Sequence, residues 1–105
     1  MLRPPFLVLL GVLLLASCAM HRLKQYGRHY QAYRDFASLQ LVVDRLPAGA
    51  DTALVKNILG EPIDFGFDYR YLIDSTGPNG CPVGAVFHIG EQGKIDQQWL
   101  DEICE

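Results

Sequence analysis

The stretch that most constrains this chain runs from Ile63 to Asp74. Ile63, Phe65, Phe67, Tyr69, Tyr71 and Ile73 fill every odd position. Asp64, Gly66, Asp68, Arg70 and Asp74 fill the even ones, with Leu72 the one exception. Side chains alternate across a strand, so the pattern predicts one long strand with a buried face and a wet face. Ser75-Thr76-Gly77-Pro78-Asn79-Gly80 is a dense turn cluster. A second strand follows, with Val83, Ala85, Phe87 and Ile89 alternating. Gly90-Glu91-Gln92-Gly93 reads as a tight hairpin turn into a third strand from Lys94 to about Ile103, with Ile95 and Trp99 on one side. Three antiparallel strands form a meander whose aromatic face needs cover.

Helices supply that cover. Leu23, Tyr26, Tyr30, Tyr33 and Ala37 fall at three- and four-residue steps, as do Phe36, Leu39, Val43 and Leu46. The spacing predicts one helix from about Gln31 to Leu46, ended by Pro47 and Gly49. The tyrosines also fit a belt at lipid-headgroup level, but helical spacing favours a core-facing stripe with a solvated basic back. A second helix is predicted over Thr52–Leu59. Asp51 is a good N-cap, Leu54, Val55, Ile58 and Leu59 make one apolar face, and Gly60 and Pro62 close it. The expected fold class is therefore α+β, two helices packed on a three-stranded antiparallel sheet in the order ααβββ.

The amino-terminal residues read as a processing signal. Arg3 and the amino terminus precede FLVLLGVLLLA at 6–16, which carries no charge and is followed by Ser17 and Cys18. A spanning helix needs about 20 apolar residues, and this run ends well short of that before His21 and Arg22. Leu15-Ala16-Ser17-Cys18 resembles the lipobox cut by bacterial lipoprotein signal peptidase. Residues 1–17 are thus expected to be a lipoprotein signal peptide, with Cys18 becoming the lipidated amino terminus. In lipoproteins of this kind that cysteine carries diacylglycerol and usually an N-acyl chain. Each buried CH₂ contributes about 0.8 kcal/mol, so more than one chain anchors stably. Ala19 stands where an Asp would oppose outer-membrane sorting in a Gram-negative cell. The expected place is the outer membrane, lipid-anchored and facing the periplasm.

Charge divides the chain in the same way. Residues 19–34 hold Arg22, Lys24, Arg28 and Arg34 and no acid, whereas residues 35–105 hold four bases and all 12 acids, a net of −8. A basic neck at 18–30 suits an anionic membrane surface, and an acidic domain at 31–105 argues against nucleic acid as a partner. Removing 17 of the 105 residues leaves 88, enough for one thin core that gains from a covalent staple.

Cys81 and Cys104 are the candidates for that staple. If Gly90 pairs with Lys94, then Ile89 faces Ile95, Ala85 faces Trp99, and Cys81 faces Ile103, one residue from Cys104. A one-residue slip or bulge near the strand ends would bring the thiols together. The expected disulfide would contribute about 3 kcal/mol. The alternative, a redox or metal pair, lacks a CxxC spacing and a flanking His.

No familiar catalytic arrangement is legible. His21, His29 and His88 are scattered without HxxxH or HExxH spacing. Asp64, Asp68 and Asp74 lack the loop spacing of an EF-hand and read as a solvated strand face. GxSxG, P-loop and GxGxxG motifs are missing from the sequence. The expectation is no catalytic residue, no metal site, and no cofactor beyond the covalent lipid on Cys18.

The run from Gly49 to Pro62 carries a resemblance. Gly49, the N-cap Asp51, Val55, and Leu59-Gly60 closing with Pro62 match in register the signature of the SmpA/OmlA, or BamE-like, family of small outer-membrane lipoproteins. Val86-Phe87 and Gly93-Lys94-Ile95 resemble the family's final hairpin. The Ala50-Asp51 start and the Cys81/Cys104 pair depart from its pattern. The resemblance covers about residues 47–100 plus the lipobox, and implies the two-helix, three-strand fold. It also implies a non-enzymatic accessory that binds envelope proteins and supports β-barrel outer-membrane protein assembly and envelope integrity. The matching residues are caps, turns and core, so no binding site comes with them. The competing reading is a membrane-anchored periplasmic inhibitor or ligand-binding module using Asp64, Asp68 and Arg70 on the sheet's outer face.

Overall fold

A computed structural model describes the backbone of residues 4–105 and the side chains of residues 17–105. The signal-peptide reading of residues 1–17 falls, for all side chains but Ser17, outside that description. The fold is α+β, with three helices packed on a four-stranded antiparallel sheet. This corrects the expected two helices and three strands at two places.

The first is a break in the amino-terminal helical pattern. Helix α1 (Pro4–Tyr33) and helix α2 (Phe36–Arg45) replace the single helix expected over 31–46. Arg34 takes φ 53°, the left-handed region that ends a helix, and its N–H still reaches the Tyr30 carbonyl. Asp35 then caps α2, its carboxylate accepting the Ser38 N–H at 2.9 Å. Apolar spacing cannot reveal such a break, because both helices present residues to the same core. The signal available was Asp35 itself, the first acid in the chain and a strong N-cap former.

Residues 18–30, the expected basic neck, lie on α1 and send Leu23 and Tyr30 into the core while most of their other side chains stay exposed. Gly27 lets α1 approach helix α3 (Thr52–Leu59) so closely that a Cβ there would lie 2.0 Å from the Ile58 carbonyl oxygen. Gln31 donates to that same carbonyl at 2.9 Å, satisfying one of the acceptors a helix leaves open at its end. Helix α3 coincides with the expected range. Asp51 accepts the Leu54 N–H at 2.8 Å, and Gly60 closes the helix at φ 85°.

The second correction lies in the long alternating stretch. It divides into strand β1 (Ile63–Asp64) and strand β2 (Asp68–Thr76), paired Ile63 with Arg70 and Asp64 with Tyr69. Gly66 at φ 84° makes the turn, and its N–H is accepted by the Asp64 carboxylate at 2.7 Å. The meander continues through strand β3 (Pro82–Ile89), a short helical turn at Glu91–Gly93, and strand β4 (Ile95–Glu102), in the order β1-β2-β3-β4.

The inner face of the sheet packs under the helices. Tyr71 meets Tyr30 and Phe87 edge-on at ring separations of 6.3 and 5.7 Å. Both buried phenols are hydrogen-bonded, Tyr30 to the Leu72 carbonyl and Tyr71 to the Gly60 carbonyl. Burial raises both hydroxyls above their ordinary pKa, so they stay neutral donors. Among the described residues no helix is long and apolar enough to cross a membrane.

The hairpin register also departs from expectation. Ile89 faces Ile95 as expected, but His88 then faces Gln97, so Asp96 is a bulge. Beyond it Ala85 faces Leu100 rather than Trp99. Trp99 is therefore turned to the outer face, away from Ile95. The slip lies at the turn end of the two strands, away from the cysteines.

Candidate functional site

The outer face of the sheet, opposite the helices, gathers side chains that the sequence pattern had assigned to the core. Register places Ile63, Arg70, Val86 and Trp99 in one row across β1, β2, β3 and β4. Ile63 is 47% exposed, Phe65 45%, Phe67 58% and Trp99 43%. Exposed aromatics brought together on one face, rimmed by polar groups, are the composition of a binding surface. Their placement follows from the two local events above. The Gly66 turn takes Phe65 and Phe67 out of the inner row, and the Asp96 bulge re-aims Trp99.

Arg70 is the polar centre of this face. Its guanidinium lies 4.4 Å from the centroid of the Phe65 ring. Its Nε is 3.4 Å from Asp68 Oδ1, and its Nη1 donates to the Glu105 carboxylate. The hydrogen bond to Glu105, opposed by burial and reinforced by Asp68, raises the Arg70 pKa. Asp68 is only 5% exposed, which corrects the expected solvated strand face. Neither Asp68 Oδ1 nor Arg70 Nε has a hydrogen-bond partner, so the two act on each other as neighbouring charges. Asp64 and Asp74 are exposed and stand apart from this pair. Beside Arg70 runs a groove of about 360 Å³, walled by Ile63, Phe65, Leu72, Pro82 and Ile103.

Cys81 stands at the rim of that groove, bonded to Cys104 with the Cα atoms 5.3 Å apart. Continuing the β3–β4 register past Val83 and Glu102 brings the two cysteines opposite each other. Glu102 lies beside them, the only place among the described residues where three metal-ligating groups converge. The two sulfurs are bonded to each other. The Glu102 carboxylate accepts from Asn79 N and Nδ2 at 2.8 Å and from Cys81 N at 3.0 Å. Glu102 thereby folds the 77–81 turn onto β4. Cys18, the expected lipidation residue, is exposed on α1. It precedes the first residues that touch the core, Met20 and Leu23.

One cluster has the residue types of a catalytic triad, and scattered sequence positions could not have shown it. His29 Nδ1 is 2.7 Å from Ser38 Oγ and 2.9 Å from Asp35 Oδ1. Both contacts use the same ring nitrogen. A relay needs the hydroxyl and the carboxylate on opposite nitrogens, so this trio caps α2 and does not activate Ser38. Burial works against the Asp35 charge, but the bonds from Ser38 and His29 outweigh it and lower the Asp35 pKa. His88 pairs in the open with the bulge residue Asp96 at 2.7 Å.

No family model, no curated protein and no solved structure matches this chain.

Proposed function

We propose that the chain is a non-enzymatic lipoprotein of the bacterial outer membrane, anchored through lipid on Cys18, whose domain binds other envelope proteins on the periplasmic side. The observation that carries the binding role is the open sheet face, where Phe65 packs on Arg70, Phe67 lies beside Phe65, and exposed Trp99 ends the same cross-strand row on β4. Aromatics and arginine are the residue types that dominate protein–protein contacts. The leader and Leu-Ala-Ser-Cys support the anchor and the location. The resemblance to the SmpA/OmlA family supports the narrower role, an accessory to β-barrel outer-membrane protein assembly.

Helix α1 gives this reading a geometry. At 1.5 Å per residue, Leu23 in the core is about 8 Å along the axis from Cys18. The domain is therefore held against the bilayer with little slack, and Arg22, Lys24 and Arg28 lie on the same helix, with Arg34 at the break that ends it. A second reading, a membrane-anchored inhibitor or ligand-binding module, is favoured by the Arg70–Asp68 pair beside an apolar groove. The acidic body opposes nucleic acid as a partner under either reading.

Affinity purification of the full chain from detergent-solubilised membranes tests the proposal. Recovery of a barrel-assembly complex is expected, and a soluble hydrolase as sole partner would sink it. Cys18→Ala should release the protein or leave its precursor uncut. Normal processing with retained membrane attachment would overturn the anchor.

A further inference from the structure

The sheet has two edges, and they differ in kind. Edge strand β1 has two residues, whereas β4 has eight. Ile103 N donates to Pro82 O, so alternation along β4 turns Gln97, Trp99 and Asp101 inward to β3. Gln98 and Leu100 turn their N–H and C=O groups outward. Among the described residues nothing meets those groups.

The two ends of this free edge are closed. At one end Ile95 N donates to Ala50 O at 2.7 Å, and Asp51 bridges Lys94. The chain thus already lays a piece of foreign backbone on β4. At the other end the Asp101 carboxylate accepts the outward Glu102 N–H at 2.7 Å. From the first closed end a groove of about 480 Å³ runs along β4 as far as Gln98, with Leu46, Ala48 and Gly49 as its other wall, and Leu100 follows beyond it. Gln98 Nε2 donates to the Val43 carbonyl at 2.7 Å and ties the far wall to the strand.

We propose that this edge is a strand-addition site, taking an extended segment of a partner protein as a fifth strand beside β4. It deepens the protein-binding reading above and rests on that reading, but not on the anchor. Backbone pairing would supply affinity and alternate side chains specificity, as in other cases of strand addition to a sheet edge. Charge selects the occupant. Asp96 and Asp101 are exposed on β4, and the domain is acidic, so the segment alternates apolar residues with Lys or Arg. Its apolar residues then all fall on the helix side, against Leu46, and its basic residues on the outer face, with Asp96, Asp101 and Trp99. A second copy of this chain fits badly. Two β4 strands antiparallel with Gln98 opposite Leu100 would set Asp96 against Glu102, and like charges directly opposite are destabilising.

Amide hydrogen exchange on the full chain in detergent micelles tests this, with two short synthetic peptides as probes, one alternating Val and Lys, the other Val and Glu. The Val–Lys peptide should slow exchange at Gln98 and Leu100 about tenfold or more, while Trp99, already paired with β3, changes little. The Val–Glu peptide should have no effect. Reversing both charges (Asp96→Lys with Asp101→Lys) should exchange the two preferences. The proposal is overturned if the Val–Lys peptide fails to bind, or binds without slowing Gln98 and Leu100. Equal slowing by both peptides overturns the charge selection. Slowing that grows with protein concentration and needs no peptide makes a second copy the occupant. An empty affinity purification alongside protected amides removes the envelope-assembly reading and keeps the edge. A recovered complex with these amides unprotected does the reverse.

Discussion

The two faces of the sheet are built from similar side chains and have opposite fates. Inside, Tyr69, Tyr71 and Phe87 are covered by helices, and the phenol of Tyr71 is tied to a carbonyl. Outside, Phe65, Phe67 and Trp99 are about half exposed, Phe65 lying against Arg70. Hydrophobicity does not separate the two sets. Position relative to a turn and a bulge does. An aromatic residue thus contributes to folding on one face of this sheet and is available for recognition on the other.

The sharpest way to test that contrast is to delete the same side chain on both faces. Phe87→Ala should cost about 3–5 kcal/mol by leaving a cavity among fully buried neighbours. Phe67→Ala should change stability by less than about 0.5 kcal/mol, as surface substitutions do. Urea unfolding of the two variants measures both. A large loss for Phe67→Ala would mean the outer face is structural cover and not a binding surface. Replacing Cys81 and Cys104 together by Ser should cost about 3 kcal/mol, measured against the oxidised protein, and should loosen the groove rim before the inner core. Near-ultraviolet dichroism with the single Trp99 as reporter of the outer face follows that order.

Gly27→Ala attacks the cover of the inner face. Its Cβ meets backbone, not a mobile side chain, so α1 and α3 must separate, at a cost of about 1–3 kcal/mol. Unchanged stability would show that α1 does not bear on α3 as closely as the structure has it. On the helical side the smallest effect belongs to Asp35→Ala, about 1 kcal/mol for a lost N-cap. Its pH dependence has a definite sign. Asp35 has a folded pKa below its ordinary 3.8, so its contribution is complete above that value and fades as pH falls through the lower folded value. Acid titration of unfolding should therefore bring wild type and Asp35→Ala together at the acid end. A gap that persists there would assign the effect to packing instead of charge.

Local chemistry was legible in the sequence where one residue type settles the matter. Asp51 and Gly60 bound α3 as their chemistry requires, and Gly90-Glu91-Gln92-Gly93 turns the hairpin. What escaped was parity and interruption. Alternation from Ile63 to Asp74 is indifferent to whether the strand continues or folds back, and only Gly66 inside the run marked the turn. Helical spacing ran unbroken across Arg34 and Asp35 because both helices face one core. The candidate site escaped for the same reason. Phe65, Phe67 and Trp99 look like core residues until the count of residues between them and their neighbours is known in three dimensions.

The bulge at Asp96 ties two distant properties to one residue. Were Asp96 paired in the ladder instead of bulged out of it, every partner from His88 onward would change by one place. Cys81 would face Ile103, and Trp99 would return to the side of Ala85. Whether Asp96 is bulged or paired therefore decides both whether the cysteines can be joined and whether tryptophan reaches solvent. An oxidising compartment then acts as a proofreader. Only chains whose hairpin has closed in the register that displays Trp99 can be sealed, and sealing removes the alternative from the ensemble.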